Sequence, residues 1–422
     1  MITTVNKKFS ILSSFLLILI PFSLITGPFV PDLLLVIILV SYLYYFIQKK
    51  NYNFFGDNFI RIYFLICLYL FIISILTFNF ISIKSSIFYF RFGLFALFAS
   101  YIILNNKDLL KYLFYFLILI YLSLFFDSLY QYFFSKNILG FVYSHKSNFR
   151  ITSFFGDDEV LGSYTSRFFP FLMFLVIWNL KNYSFKKFSL VILVLTIITF
   201  VIILLSGERT SIGLFLLSLL FIFFSSTKFR KSLLIPFLSI ILIFLATVSV
   251  SEKVKNRVIT QTLTQMGLSS ESERILLFSE VYEGHYKISY NMFKEKPLFG
   301  HGAKMFRVYC IKEENFVAND ACTTHPHNFY AQMLSEAGLV GFIIMFSVFA
   351  YICYLFILNF YSLLFKKKQL LSDEAICILS FYFMTLFPLL PSGNFFNNWL
   401  SIIVYYPLGF LLFIIKDKKF YA

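Results

Sequence analysis

Apolar runs long enough to cross a bilayer follow one another almost from end to end of this chain, and that repetition constrains its fold more than any other feature. A spanning helix needs roughly 20 mostly apolar residues. We place twelve such runs near 10–26, 29–47, 60–79, 84–104, 109–134, 161–179, 187–205, 211–226, 231–250, 330–361, 375–391 and 398–415. With 59% hydrophobic residues, 14% charged residues and a mean hydropathy of +0.81, the chain is too apolar for a soluble globular domain. The expectation is an all-α polytopic membrane protein with about 12 transmembrane helices. The first run lacks a small-x-small cleavage site and is followed at once by another, so it reads as a span and not as a leader. The many Phe and Tyr residues fit codon bias of an AT-rich genome better than a carbohydrate-stacking role for all of them.

The net charge of +15 is a topology signal. With the N-terminus inside, Lys7, Lys8, Lys49, Lys50, Arg61, Lys107, Lys111, Lys181, Lys186, Lys187, Lys228, Arg230, Lys231, Lys366 to Lys368, Lys416, Lys418 and Lys419 all fall in cytoplasmic connections. The short outer loops hold only Lys84, Lys136, Lys146, Arg150 and Arg209. Both termini are therefore expected to be cytoplasmic, and no nucleic-acid partner is needed to explain the charge. Three parts follow: helices one to nine over 1–250, an outer loop subdomain over 251–329, and helices ten to twelve over 330–422. Within the loop, Ser270 and Glu273 offer a capping box ahead of an amphipathic run through Ile275, Tyr282, His285, Ile288 and Met292. This predicts a surface helix over about 272–294, ended by Lys296-Pro297.

Arg91, Asp127 and Arg167 lie inside spans, where ionisable groups are costly and functional by default. Each sits about 10 Å from the outer end of its helix. They read either as snorkelling or paired groups, such as Arg91 with Asp127, or as the lining of one outward-facing cavity. All five histidines, at 145, 285, 301, 325 and 327, are expected outside. After His327 come Asn328, Gln332 and Glu336, four apart on one helix face, so a polar stripe descends from the histidine. His325 and His327 with Asp320 and Cys322 match no standard metal spacing, and neither metal nor cofactor is expected. Asp157-Asp158-Glu159 reads as a solvated loop in preference to a cation site. Cys310 and Cys322, in the same outer segment, are a candidate disulfide.

Three stretches resemble the O-antigen ligase and O-antigen polymerase superfamily of bacterial inner membranes. His327-Asn328 followed by Gly338-x-x-Gly341 is similar to its His-Asn-x9-Gly-x-x-Gly pattern. Lys296 to Gly302 resembles its PLFGxG turn after a surface helix that begins near an arginine, here Arg274. Gly207-Glu208-Arg209-Thr210 resembles its Gly-Ser-Arg, with Glu208 in place of a small residue; Arg150 to Gly156 is a weaker match, followed by Asp157-Asp158-Glu159 where Asn-Pro-Asn-like text is common. The resemblance implies a GT-C-like glycosyltransferase that moves a glycan from undecaprenyl pyrophosphate to an acceptor at the periplasmic face of the inner membrane. It implies His327 as the essential histidine and Arg209 and Arg274 as the essential arginines. Arg91, Arg150 and Arg167 are further candidates for holding pyrophosphate, and His301, His325, Asn328, Gln332 and Glu336 for supporting the site. The acceptor is lipid A–core for a ligase, the favoured reading, or a lipid-linked repeat unit for a polymerase. A transporter or flippase would explain buried charge but predicts pseudo-repeats that the sequence lacks, and a purely structural anchor would not need Arg91 or Arg167.

Overall fold

Helices form wherever the apolar runs lie, because a backbone that leaves water must satisfy its own N–H and C=O groups. The structure is a computed structural model and describes residues 7–50, 52–142, 150–268, 275, 276 and 278–422. In chain order the helices are α1 (Lys7–Ser23), α2 (Phe29–Gln48), α3 (Asn58–Leu76), α4 (Phe80–Ile87), α5 (Phe90–Asn105), α6 (Leu109–Phe134), α7 (Leu161–Leu180), α8 (Phe185–Ser206), α9 (Arg209–Ser225), α10 (Thr227–Val250), α11 (Glu252–Lys255), α12 (Gln261–Gln265), α13 (Glu280–Glu295), α14 (Phe306–Tyr309), α15 (Phe329–Phe365), α16 (Asp373–Thr385) and α17 (Asn398–Lys416). Polar caps start several of them: Asp57, Asn79, Ser226, Asn328, Ser372 and Asn397 each accept a hydrogen bond from the first turn of the helix that follows. Among the described residues there is no β-sheet, only the isolated bridges Lys136 to Val142 and Leu371 to Tyr421.

Among the described residues ten helical segments are long and apolar enough to cross a membrane, with α4 and α5 together forming one of them, Phe80–Asn105. That is fewer than the twelve expected from the sequence. The other two runs fold as helices, but α9 has 17 residues and α16 only 13, too short for a full span. Helix α16 is almost wholly buried, packing on α7 and α9, whereas α9 keeps Leu220 and Phe224 exposed; α7 also packs on α8. The second centre is α5 against α17. Aromatic rings fill the space between, as where Phe171 meets Phe410 with centroids 4.6 Å apart. The basic connections gather at one end of this bundle. There Lys416 pairs with Asp57, Lys107 with Asp417 at 2.7 Å, and Lys419 with Asp417 at 2.9 Å.

The other end carries the long loops. The predicted surface helix exists but starts at Glu280 instead of about 272. Its extended N-cap position is Ser279, and Glu280 and Glu283 occupy the first turn, where the helix dipole favours acids. The capping box at Ser270 and Glu273 lies outside the described residues. Ile288, Met292, Phe306, Cys310 and Ala321 form a small core separate from the main one. Cys310 and Cys322 are joined by a disulfide, with Cα atoms 5.3 Å apart.

One joint ties this loop to the bundle. Helix α15 breaks at Gly338, whose φ of 64° and ψ of −165° are not helical. The N–H groups of Leu339 and Val340 then lose their helical acceptors, and the carbonyls of Ser335 and Glu336 lose their donors. The turn after α13 supplies all four. Leu339 N–H donates to Pro297 O at 2.8 Å and Val340 N–H to Leu298 O at 3.4 Å, while His301 N–H donates to Ser335 O at 3.1 Å and Gly302 N–H to Glu336 O at 2.8 Å. The approach is closed to side chains: a Cβ on Gly338 would lie 2.4 Å from the Leu298 carbonyl, and one on Gly300 2.5 Å from the Glu336 backbone. The two sequence motifs around Gly300 and Gly338 are thus the two halves of one backbone contact.

Candidate active site

His327 ends the loop that this joint delivers. Its backbone is left-handed (φ 51°), a conformation that costs energy outside glycine and clusters at functional sites. The turn is held on both sides. Ser392 N–H donates to the His327 carbonyl at 2.8 Å, and the Asn328 side chain caps α15 while its amide donates to Pro388 O at 2.8 Å. Around the His327 ring stand His325 at 4.0 Å between centroids, His285 at 5.2 Å and Tyr282 at 5.8 Å. Burial, followed by the field of His285, pushes the His327 imidazole down to about 4. Burial, then His327, His285 and Arg307, push His325 down to about 3. Both rings are therefore neutral near pH 7 and keep a lone pair. The buried Nε2 of His325 has no partner among the described residues. His285 donates from Nδ1 to the Ala321 carbonyl at 2.6 Å, which fixes its tautomer.

One flank of this histidine group is made by arginines. Arg209 opens α9 and donates to Thr262 Oγ1 at 3.1 Å and Gln265 Oε1 at 2.6 Å. It lies within electrostatic range of Tyr282 and Arg150. Between α11 and α12 the helix widens into a π turn over Asn256–Thr260, a feature frequent at functional sites. Arg257 in that turn donates to Gly207 O at 3.2 Å and Gln261 Oε1 at 2.6 Å. Burial, then the like charges of Arg150 and Arg209, hold its guanidinium down at about 10. Arg150 pairs with Glu159, so one member of the acidic triplet is an ion-pair partner and not merely a solvated side chain. Arg274 and His145 lie outside the described residues.

Glu208, the departure from the family's small residue, has a structural task. Its oxygens accept from Gly162 N at 2.7 Å, Ser163 N at 3.0 Å and the Ser211 hydroxyl at 3.1 Å, which satisfies the open N-terminus of α7. Burial pushes its carboxyl up to about 7 against those bonds. Arg167, buried on α7, donates to Ser163 O at 3.3 Å and to the Ser163 hydroxyl.

The in-span charges do not pair as the sequence suggested. Arg91 binds Asp32 at 2.9 Å, and Asp127 instead accepts from Ile138 N at 2.9 Å and from the Ser153 hydroxyl. Among the described residues no hydrogen bond or ion pair links Arg91, Asp127 and Arg167. The polar stripe below His327 is a latch. Gln332 donates to Glu336 Oε2 and Asn394 Oδ1, both at 2.9 Å, and accepts from Phe395 N at 2.9 Å. Glu336 also accepts from Phe306 N at 2.8 Å. With Asn328 on Pro388, the stripe pins two remote segments against the start of α15. His301 is buried at the base of the loop, donating from Nε2 to Met292 O at 2.9 Å and packing on Tyr309 at 4.2 Å.

Four groups near His327 were not singled out as site residues from the sequence. His285 and Tyr282 appeared there only as members of an amphipathic face. Arg257 and Arg307 carried no signal, because nothing local distinguishes them from other basic residues in a long outer segment. Among the described residues no group of three or more His, Cys, Asp or Glu side chains is placed to hold a metal ion.

Residues 194–346 match the family model described as O-Antigen ligase. The matched stretch contains Arg209, Arg257, His285, Arg307, His325, His327 and both halves of the Gly300–Gly338 joint; Arg91, Arg150, Arg167 and the loop around Asn394 lie outside it. No curated protein matches the chain. The chain is a multi-pass, all-helical membrane protein that carries, over residues 194–346, an O-antigen ligase domain of the family that transfers lipid-linked glycans.

Proposed function

We propose that the chain is an O-antigen ligase-like glycosyltransferase that moves a glycan from undecaprenyl pyrophosphate to a sugar hydroxyl of lipid A–core. In this reading it lies in the bacterial inner membrane with 251–329 folded as a periplasmic subdomain between helices 1–250 and 330–422. The acceptor oxygen attacks the anomeric carbon and gives its proton to His327. The bond from that carbon to the pyrophosphate oxygen breaks, and the leaving group departs as the lipid pyrophosphate. Arg209, with Arg257 and Arg150 within range of it, and Arg274 hold its oxygens and stabilise the charge that develops there. Arg91 and Arg167 take no direct part. No metal or other cofactor has a step in this scheme.

One observation carries the reading: Tyr282 lies between a neutral, half-buried imidazole at His327, 5.8 Å from its ring, and Arg209, whose hydrogen-bond partners are neutral groups. A free imidazole with a pKa of about 4 is a weak base. Pyrophosphate arriving beside it favours the protonated form and raises that pKa, so the base strengthens when the donor is bound. The test is the glycolipid profile of a strain lacking this chain. Loss of all surface glycan with accumulation of long lipid-linked chains is the expected result. Retention of a single repeat on the core would make the enzyme a polymerase. An unchanged profile would contradict glycan transfer altogether.

A further inference from the structure

On the other flank of His327 stands a second set of cations. Arg307 lies within electrostatic range of His325, whose ring centroid is 4.0 Å from that of His327. The Cys310–Cys322 disulfide fixes α14, which bears Arg307, to the strand of loop that leads to both histidines. Lys304 stands next to Arg307, and Arg91 and Lys84 are within range of it. The turn carrying Lys304 is seated on the end of α3, where the Thr77 hydroxyl donates to His301 O at 3.0 Å, and Lys84 follows on α4.

Charge balance sets these cations apart. Arg91 already has Asp32. Lys304 and Arg307 have no hydrogen-bond or ion-pair partner among the described residues, and the buried Nε of Arg307 is unsatisfied. The carboxylate in their field is Glu336, which is fully buried with its oxygens taken by Phe306 N–H and Gln332. Lys304 is also held in a left-handed backbone (φ 60°), which a lysine adopts only at a cost. Burial and the neighbouring Arg307 lower the Lys304 ammonium below its ordinary range. Two half-buried cations side by side, with one buried carboxylate between them among the described residues, are unfavourable unless a further anion joins them.

We propose that Lys304 and Arg307, reached from His327 through His325, form a second anion site distinct from the Arg209 group, and that it binds a phosphate or pyrophosphate of the acceptor glycolipid. The inference rests on the glycan-transfer reading for its acceptor, but the site itself is defined by charge. A donor pyrophosphate on the Arg209 flank and an acceptor phosphate on the Arg307 flank bring the two substrates to the imidazole, where the proton is taken. The shared chemistry has two sources. One is the pyrophosphate of a lipid-linked repeat unit, and the other is phosphate on a lipid–core glycan.

The experiment uses the full chain in lipid nanodiscs. Titration calorimetry with inorganic pyrophosphate is expected to show two sites in the wild type. Lys304→Gln with Arg307→Gln should leave one, and Arg209→Gln with Arg257→Gln should leave the other. Arg307→Lys should keep two sites with the second weakened about tenfold. A misfolded variant would lose both sites together, so each pair controls for the other. A single site in the wild type, or two sites in Lys304→Gln with Arg307→Gln, overturns the proposal whether or not glycan is transferred. Transfer assays then identify the source. Removing the phosphate groups from the true acceptor, pyrophosphate-linked or core-linked, should raise its KM about tenfold in the wild type. It should leave the KM unchanged in the Lys304 and Arg307 double variant. A rise in donor KM alone in that variant assigns these cations to the donor and contradicts the proposal; absence of any transfer contradicts the function but not the two-site count.

Discussion

The two ends of the bundle treat their cations in opposite ways. At the lysine-rich end three of the positive groups meet carboxylates: Lys416 meets Asp57, and Lys107 and Lys419 share Asp417. At the loop end Arg209 and Arg257 are held by hydroxyl, amide and carbonyl oxygens, and Lys304 and Arg307 by none that is described. Neutral acceptors orient a guanidinium without cancelling its charge. At the first end three lysines are neutralised by carboxylates, whereas Arg209, Arg257, Lys304 and Arg307 at the second end have no ion pair among the described residues and are left open for an anion. Arg91 and Arg150 at the loop end have carboxylate partners, Asp32 and Glu159.

Substitutions that remove charge at each end should separate these roles. The largest effect is expected for Arg209→Gln with Arg257→Gln. Loss of a preorganised charge donor costs about 10²–10³ in rate, so glycan transfer should fall at least that far while thermal unfolding shifts little. Next comes Gly338→Ala, which places a methyl 2.4 Å from Leu298 and forces a side chain into φ 64°. A loss of about 1–3 kcal/mol is expected from the backbone alone, read as a lowered unfolding midpoint with transfer lost in parallel. Cys310→Ser with Cys322→Ser opens a loop whose closure is worth about 3 kcal/mol. Limited proteolysis of 280–325 should accelerate, and the Lys416 end should be untouched. The smallest effect on transfer is expected for Lys416→Gln, which breaks a partly buried ion pair with Asp57 at the lysine-rich end; transfer should stay at the wild-type rate.

Acidity sharpens the same contrast. His325 and His327 have folded values of about 3 and about 4, below the unfolded value of about 6.5. The unfolded chain therefore binds more protons between those values, and the loop end loses stability as pH falls from about 6.5 toward 4. Hydrogen exchange over 280–330 should report that loss before the lysine-rich end does.

The helices were legible in the sequence because each apolar run is its own record of burial. What separated ten long segments from twelve runs was length: α9 and α16 are apolar but short, and α16 is enclosed by the bundle. The face shared by Asn328, Gln332 and Glu336 was legible from spacing four. Its purpose was not, because the partners Pro388, Asn394 and Phe306 come from remote segments. The same holds for Arg91, whose partner Asp32 is 59 residues away. Local sequence likewise could not show that Pro297–Gly302 completes the hydrogen bonds of a broken helix, although it marked both pieces as motifs. Arg257 became visible only when the π turn brought it to Gly207.

The central claim is that His327 takes the acceptor proton between two anion-binding flanks. Single-turnover transfer from a defined lipid-pyrophosphate glycan, with the full chain in nanodiscs, tests it most directly. His327→Ala is expected to slow the transfer step by about 10²–10⁴ while inorganic pyrophosphate still binds as in the wild type. Transfer by His327→Ala at the wild-type rate would contradict the account.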